Sequence, residues 1–354
     1  MKRLLFVLTI TFLPYSALAE ATKIGALLCL TGPCAADGQA ALNGMTLAVE
    51  QLESASGLKQ YEIISQDTAE STNGAAAVTA YRRLYASGIR IFVGPSWSSA
   101  AQALAPIIAK DKEVVALTPS AGTPDFHMAG ENIFNLRGTD GFAVSRTAEI
   151  AWKMGIKKMA IFGSQQSWSM EQTNTFETAF KNLGGKILSK VEPLPGETLL
   201  ASHAFRLIAT KPDAIFISVF AESPIAVKQL AAKKYTGNKF AAAVHPVLLE
   251  QARPEFEGTI FNTFTMPTGD FANKYKARFN GEPLVAAGGG YDAVKVINAG
   301  IGTSRRYSTL AQAISAVILP GAFGRVEFDE QGCVIREPEA LQVKNGNIVP
   351  YEGN

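Results

Sequence analysis

The sequence predicts an α/β protein of two lobes, each built on a doubly wound parallel sheet. Short β-branched runs alternate with amphipathic helical stretches, the pattern of parallel strands covered on both faces. Right-handed crossovers turn such a series into a doubly wound sheet. The alternation comes as two series, near 23–138 and 139–266, which implies two lobes rather than one large sheet. The last quarter breaks the pattern with consecutive helices followed by short strands.

Ile24 to Leu30 is a short apolar strand closed by the turn Thr31-Gly32-Pro33. The helix after it places Leu42, Met45, Val49 and Leu52 on one face, and Gly57 suits its C-terminal cap. Tyr61 to Ser65 is a second strand, ending at Gln66-Asp67. A helix from about Thr72 buries Val78, Tyr81 and Leu84 and stops near Gly88. Ile89 to Val93 is the third strand; helix Ser99 to Lys110 and strands Val114 to Thr118 and Ile133 to Leu136 complete the first series. The second opens with helix Phe142 to Met154, strand Lys158 to Gly163, helix Met170 to Leu183 and strand Lys186 to Val191. It continues with strand Ala214 to Val219, helix Pro224 to Lys234, and strands Phe240 to Val244 and Thr259 to Phe264. Phe271 to Phe279, Tyr291 to Ile301 and Leu310 to Val317 read as helices. Arg325 to Phe328, Val334 to Arg336 and the runs flanking Asn345-Gly346 read as antiparallel strands, Asn-Gly being a strong hairpin signal.

The first 19 residues carry an export signal: Met1-Lys2-Arg3, the apolar run Leu4 to Leu13, then small residues ahead of a cut after Ala19. At about 1.5 Å per residue the run reaches about half of a bilayer core, too short for an anchor. No Cys follows the cut directly, which argues against a lipid anchor. Hydrophobic residues make up 47% of 354, enough for two cores of ordinary size. Lys+Arg number 33 against 31 Asp+Glu, and losing Lys2 and Arg3 with the leader brings the basic total to 31. A neutral surface without a basic stripe argues against nucleic acid as a partner. Cys29 and Cys34 are close enough to form a disulfide across the first strand-to-helix turn, or to remain thiols; Cys333 is the third cysteine. His127, His203 and His245 show no metal-ligand spacing, so neither a metal nor a cofactor is expected.

Several segments in order carry a resemblance. They are Ile24-Gly25 through Leu30-Thr31-Gly32-Pro33, Gly38, Asn43-Gly44, Leu47-Ala48-Val49-Glu50, and Val93-Gly94-Pro95 with Ser98-Ser99. Thr118-Pro119-Ser120-Ala121, Pro212-Asp213-Ala214 and Tyr291-Asp292-Ala293 continue the series. Together they resemble the periplasmic leucine/isoleucine/valine-binding proteins, type I periplasmic solute-binding proteins that feed ABC importers. The resemblance covers essentially the whole chain after the leader. It implies a periplasmic clamp with a three-strand hinge, crossing near Arg137-Gly138, near Pro267 and near Gly321 to Gly324. The N-lobe would then combine 20–137 with 268–321, and the C-lobe 138–267 with 322–354. It also implies a small-molecule ligand, of the branched-chain amino acid type, held at the carboxyl ends of the strands. Hinge closure would present the loaded form to the permease and ATPase subunits of an importer.

Ser98 and Ser99 follow a strand and open a helix, where free N–H groups and the helix dipole hold a carboxylate. In the resembling proteins a Ser at this point and the loop after the next strand hold the ligand's α-carboxylate. The matching loop here is Ser120-Ala121-Gly122, with Thr123 following. Two departures stand out: Gly122 replaces a family Thr, and Ala243, Val244 and His245 stand where the family places the acid that meets the ligand ammonium. A buried ammonium without a partner is costly, so either Asp37 or Glu222 substitutes or the ligand lacks an ammonium. Asp37 also reads as a helix N-cap, as does Ser98. Trp97, Trp168 and Phe220 fall at strand ends facing the cleft, an aromatic wall for an aliphatic side chain or a ligand ring. If all three face it, an aromatic ligand is favoured over leucine.

An enzyme is not expected. No nucleophile elbow, phosphate-cradling loop, dinucleotide fingerprint or zinc-type His-Glu-x-x-His occurs, and Gly94-Pro95-Ser96-Trp97-Ser98 lacks the closing glycine of an elbow. The alternatives to amino-acid import are the same role for an aromatic carboxylate, an amide or urea, and a periplasmic receptor serving a sensor.

Overall fold

A computed structural model describes residues 20–69 and 74–353. The export signal with its cut after Ala19, and the expected helix start at Thr72, lie outside the described residues.

The first unit runs β1 (Thr22–Leu28), α1 (Ala35–Ser56), β2 (Tyr61–Asp67), α2 (Ala75–Ala86), β3 (Ile91–Val93), α3 (Ser98–Ile108), β4 (Val115–Thr118) and β5 (Ile133–Asn135). Its strands form a sheet in the order β2-β1-β3-β4-β5, paired in parallel throughout. Alternate residues feed two cores: Ile24, Ala26 and Leu28 on one face, Leu27, Phe92 and Ala116 on the other.

The second unit continues with α4 (Asp140–Lys153), β6 (Lys158–Phe162), α5 (Ser167–Asn182), β7 (Lys186–Val191), α6 (Ala201–Ala209), β8 (Ala214–Ile217) and α7 (Ser223–Ala232). It closes with β9 (Asn238–Ala241), α8 (Pro246–Leu249), α9 (Arg253–Phe256) and β10 (Ile260–Thr263). Then come α10 (Gly269–Phe279), α11 (Val285–Thr303), α12 (Leu310–Ser315), the hairpin β11 (Leu319–Gly321) and β12 (Gly324–Val326), and a second hairpin, β13 (Glu339–Lys344) and β14 (Asn347–Pro350). The second sheet has the order β14-β13-β10-β9-β8-β6-β7, parallel except where β13 pairs antiparallel with β10 and β14. The expected α/β class with two parallel-dominated sheets is what the chain adopts.

Four differences from the sequence reading have physical reasons. Helix α11 starts at Val285 rather than Tyr291, taking Gly288-Gly289-Gly290 into its interior despite their poor helix propensity. A Cβ on Gly289 would lie 2.0 Å from Pro119 O, and one on Gly290 2.2 Å from Ala41 O. Glycine is what lets α11 seat directly on backbone. The same closeness shifts the buried face of α1: Met45 is fully buried, but Ala40, Ala41, Gly44 and Ala48 make the contact while Leu42, Val49 and Leu52 are only half-buried. Helix α6 was not anticipated because it buries only Ala204 and Leu207 and leaves Phe205 exposed. Val334 to Arg336 is no strand; only isolated bridges, Phe328 to Val334 and Asn135 to Cys333, mark that segment.

Residues of α10 to α12, together with Ala322, Val326, Phe328 and Val334, share the core of the first sheet. The segment 322–334, assigned by the resemblance to the second lobe, therefore packs with the first. Cys29 and Cys34 form a disulfide, and Cys333 is a free, buried thiol.

Candidate functional site

Each strand order reverses at one point, between β1 and β3 in the first sheet and between β6 and β8 in the second. Open α/β sheets place ligands outside the carboxyl ends of strands at such points. The loops leaving these strands and the first turns of the helices they enter carry Asp37, Trp97 and Ser98 from the first sheet, Trp168 and Phe220 from the second. They meet around a cavity of about 280 Å³.

Short polar ties hold the first-sheet side in place. Leu30 N donates to Asp67 Oδ1 at 2.8 Å and Thr31 Oγ1 to Asp67 Oδ2 at 2.6 Å. Burial pushes the Asp67 carboxyl up, but the bonds from Thr31, Leu30 and Ala69 together outweigh it and hold it below its usual range. Cys29 N donates to Ser96 Oγ at 3.0 Å, and Ser120 Oγ donates to Ser96 O at 2.9 Å. Thr118 Oγ1 donates to Pro95 O at 2.7 Å and accepts from Ala121 N at 2.9 Å. Trp97 is the residue preceding α3, so Ser98 is its first helical residue rather than its cap. The Ser98 side chain lines the cavity and has no hydrogen-bond partner among the described residues. It therefore stands at the N-terminal first turn of α3 as a donor.

The second-sheet side is apolar. Phe220 packs edge-on against Trp97 at 4.8 Å between ring centroids, Trp168 at 6.2 Å and His245 at 5.6 Å. Val244, Phe261 and Met266 extend this wall, and Leu284 and Val285 close it from the start of α11.

Two residues that the sequence reading does not place in the site matter at the junction. Arg137 Nη1 donates to Asp140 Oδ2 at 2.5 Å, and Trp168 Nε1 donates to the same oxygen at 2.6 Å. Asp140 is nearly buried and Arg137 largely so, with 5% and 14% of their side chains exposed. Both line the cavity. Their closeness explains the glycine at 122: a Cβ there would sit 1.9 Å from Asp140 Oδ2 and 2.5 Å from Arg137 Nη1. The family threonine has no room here. The departure at Gly122 was the sequence signal that something larger had moved in, but nothing local named Arg137, which read only as a crossover.

Of the expected residues, Asp37, Trp97, Ser98, Ser120, Ala121, Gly122, Trp168 and Phe220 line the cavity. Ser99 and Thr123 are buried outside the lining. Thr123 Oγ1 instead accepts from Asp125 N at 3.3 Å; beside it Glu171 of α5 has its carboxyl pushed up to about 7, chiefly by burial, with Asp140 and Asp125 adding to the rise. Glu222 precedes α7, accepts from Gly196 N at 2.5 Å and is outside the lining. Asp37 is not a helix cap; it lies in the first turn of α1, with Oδ1 3.2 Å from His245 Nε2.

A sequence model of the family described as periplasmic binding protein matches residues 21–347. The chain is 25% identical over 364 residues to the Leu/Ile/Val-binding protein BraC3 of Rhizobium johnstonii, covering 96% of each. It is 25% identical over 218 residues to a Leu/Ile/Val-binding protein homologue of Brucella melitensis, spanning 61% of this chain and 59% of that one. In structure it resembles the leucine-binding protein LivK of Thermotoga maritima, with a TM-score of 0.84, 25% identity, and 94% and 98% of the two chains covered. It is also similar to an ABC-transporter solute-binding protein of R. palustris solved with benzoate, with a TM-score of 0.83, 19% identity, and 93% and 95% covered.

Proposed function

The chain belongs to the periplasmic binding protein family, and we propose that it is the substrate-binding subunit of an ABC importer whose cleft captures an aromatic carboxylate. The family binds solutes and is not one of enzymes. On this reading the protein is exported, loses its leader after Ala19, and delivers its ligand to a membrane permease. Its lobes are 20–137 with 268–334 and 138–267 with 339–354, the last boundary following the packing of Val326, Phe328 and Val334.

One observation carries the choice of ligand: Trp97, Trp168 and Phe220 all face one cavity, with no unpaired carboxylate on the second-sheet side. Where the family places its acid, the lining is Ala243, Val244 and His245. Asp140 is neutralised by Arg137 and held by Trp168. A ring fits among three aromatic faces, and its carboxylate finds Ser98, the first turn of α3 and the remaining Arg137 donors. The benzoate bound by the R. palustris protein has the same chemistry.

A branched-chain amino acid is the second reading, favoured by the names of the sequence relatives and by Asp37, the one cavity carboxylate able to meet an ammonium. A thermal-shift and calorimetric screen of the secreted form decides between them. It should include benzoates, leucine, isoleucine, valine, amides and urea. Binding confined to the aromatic acids is the expected result; binding confined to the amino acids would replace the first reading with the second.

A further inference from the structure

The pair Asp37 and His245 forms a second polar element on the cavity wall, unused by the carboxylate reading above. Val247 N donates to His245 Nδ1 at 3.3 Å, so that nitrogen carries no proton. The ring proton is then on Nε2, which donates to Asp37 Oδ1 at 3.2 Å. Asp37 Oδ2 is left without a hydrogen bond among the described residues. The carboxylate sits in the first turn of the 22-residue helix α1, where the macrodipole favours negative charge. Its backbone is fixed from behind by the Cys29–Cys34 disulfide and by the grip of Asp67 on Leu30 and Thr31. Only 19% of the Asp37 side chain and 16% of that of His245 are exposed. A charged oxygen with open lone pairs thus faces an aromatic-lined space, and a hydrogen bond to it would be charge-assisted.

We propose, resting on the aromatic-carboxylate reading, that Asp37 Oδ2 is a specificity determinant that selects ring ligands bearing a hydrogen-bond donor, a phenolic hydroxyl being the simplest. Asp37 belongs to the first sheet's helix and His245 to the loop after β9 of the second. The ligand donor therefore reinforces a contact that already spans the cleft.

The test is calorimetry on the secreted protein with benzoate, its three monohydroxy isomers and their methyl ethers. At least one isomer is expected to bind about tenfold tighter than benzoate, the worth of one charge-assisted hydrogen bond. Methylating that hydroxyl should erase the gain in the wild type, a comparison that needs no variant. In Asp37→Ala the ratio between the preferred isomer and benzoate should fall to about one, whatever the absolute affinities. Equal binding of benzoate and all three isomers, or a ratio that survives in Asp37→Ala, would overturn this inference while leaving the aromatic-acid reading standing. Failure of every benzoate to bind would remove both.

Discussion

The two sheets bring different chemistry to one cavity. The first supplies donors and a carboxylate at helix starts and on a short tied loop: Ser98, Asp37 and Ser120. The second supplies surface: Trp168, Phe220, Val244 and Phe261. On the proposed reading, the first side orients an acid through Ser98 and reads a ring substituent through Asp37, while the second receives the ring. Arg137 and Asp140 stand at the junction, where the polar side borrows the indole N–H of Trp168 from the apolar one.

The comparison breaks most severely at that junction. Arg137→Met leaves Asp140 buried beside an apolar side chain, a loss of about 3–5 kcal/mol for a broken buried pair. Urea denaturation should show it as a lower midpoint with an unchanged slope, and ligand binding should be lost. Phe220→Ala strikes the apolar side alone. It removes the ring shared by Trp97, Trp168 and His245, and affinity for an aromatic acid should fall by about 2 kcal/mol, roughly thirtyfold, by calorimetry. Trp168→Phe separates the two roles of one residue: the aromatic face stays while the bond to Asp140 goes. A loss of about 1 kcal/mol is expected in affinity or stability; no change in either would show that Arg137 holds Asp140 unaided.

A pH-dependent effect concerns Glu171, where the second side meets Thr123 of the first. Its carboxyl is raised from 4.5 to about 7 by burial, so the folded protein keeps a proton that the unfolded chain has already released. The stabilisation is complete below about 4.5 and is lost as pH rises toward 7. Glu171→Gln should flatten that fall, and the gain in melting temperature over wild type should be larger at pH 8 than at pH 5.

The sequence made the sheets legible because strand and helix periods leave a local trace, as Lys186–Val191 and the hairpin at Asn345-Gly346 illustrate. What it concealed was set by distant backbone. The Gly288-Gly289-Gly290 run looks like a helix breaker until Pro119 and Ala41 are seen against it. Helix α6 has too thin a buried face to announce itself. In the site, aromatic residues at strand ends were visible because their positions follow from the strand pattern. The Arg137–Asp140 pair was not, since its meaning depends on Trp168 and Gly122 arriving from elsewhere in the chain. The serine pair divided for a helical reason: adjacent residues on a helix point apart, so Ser98 faces the cavity and Ser99 does not.

Three tryptophans occur in the chain, and two of them, Trp97 and Trp168, line the cavity. Their fluorescence, titrated in the secreted protein with benzoate, its hydroxylated forms and leucine, reports most directly on whether the aromatic side receives a ring. A saturable change with the aromatic acids and none with leucine is the predicted result. A saturable change with leucine alone would contradict it.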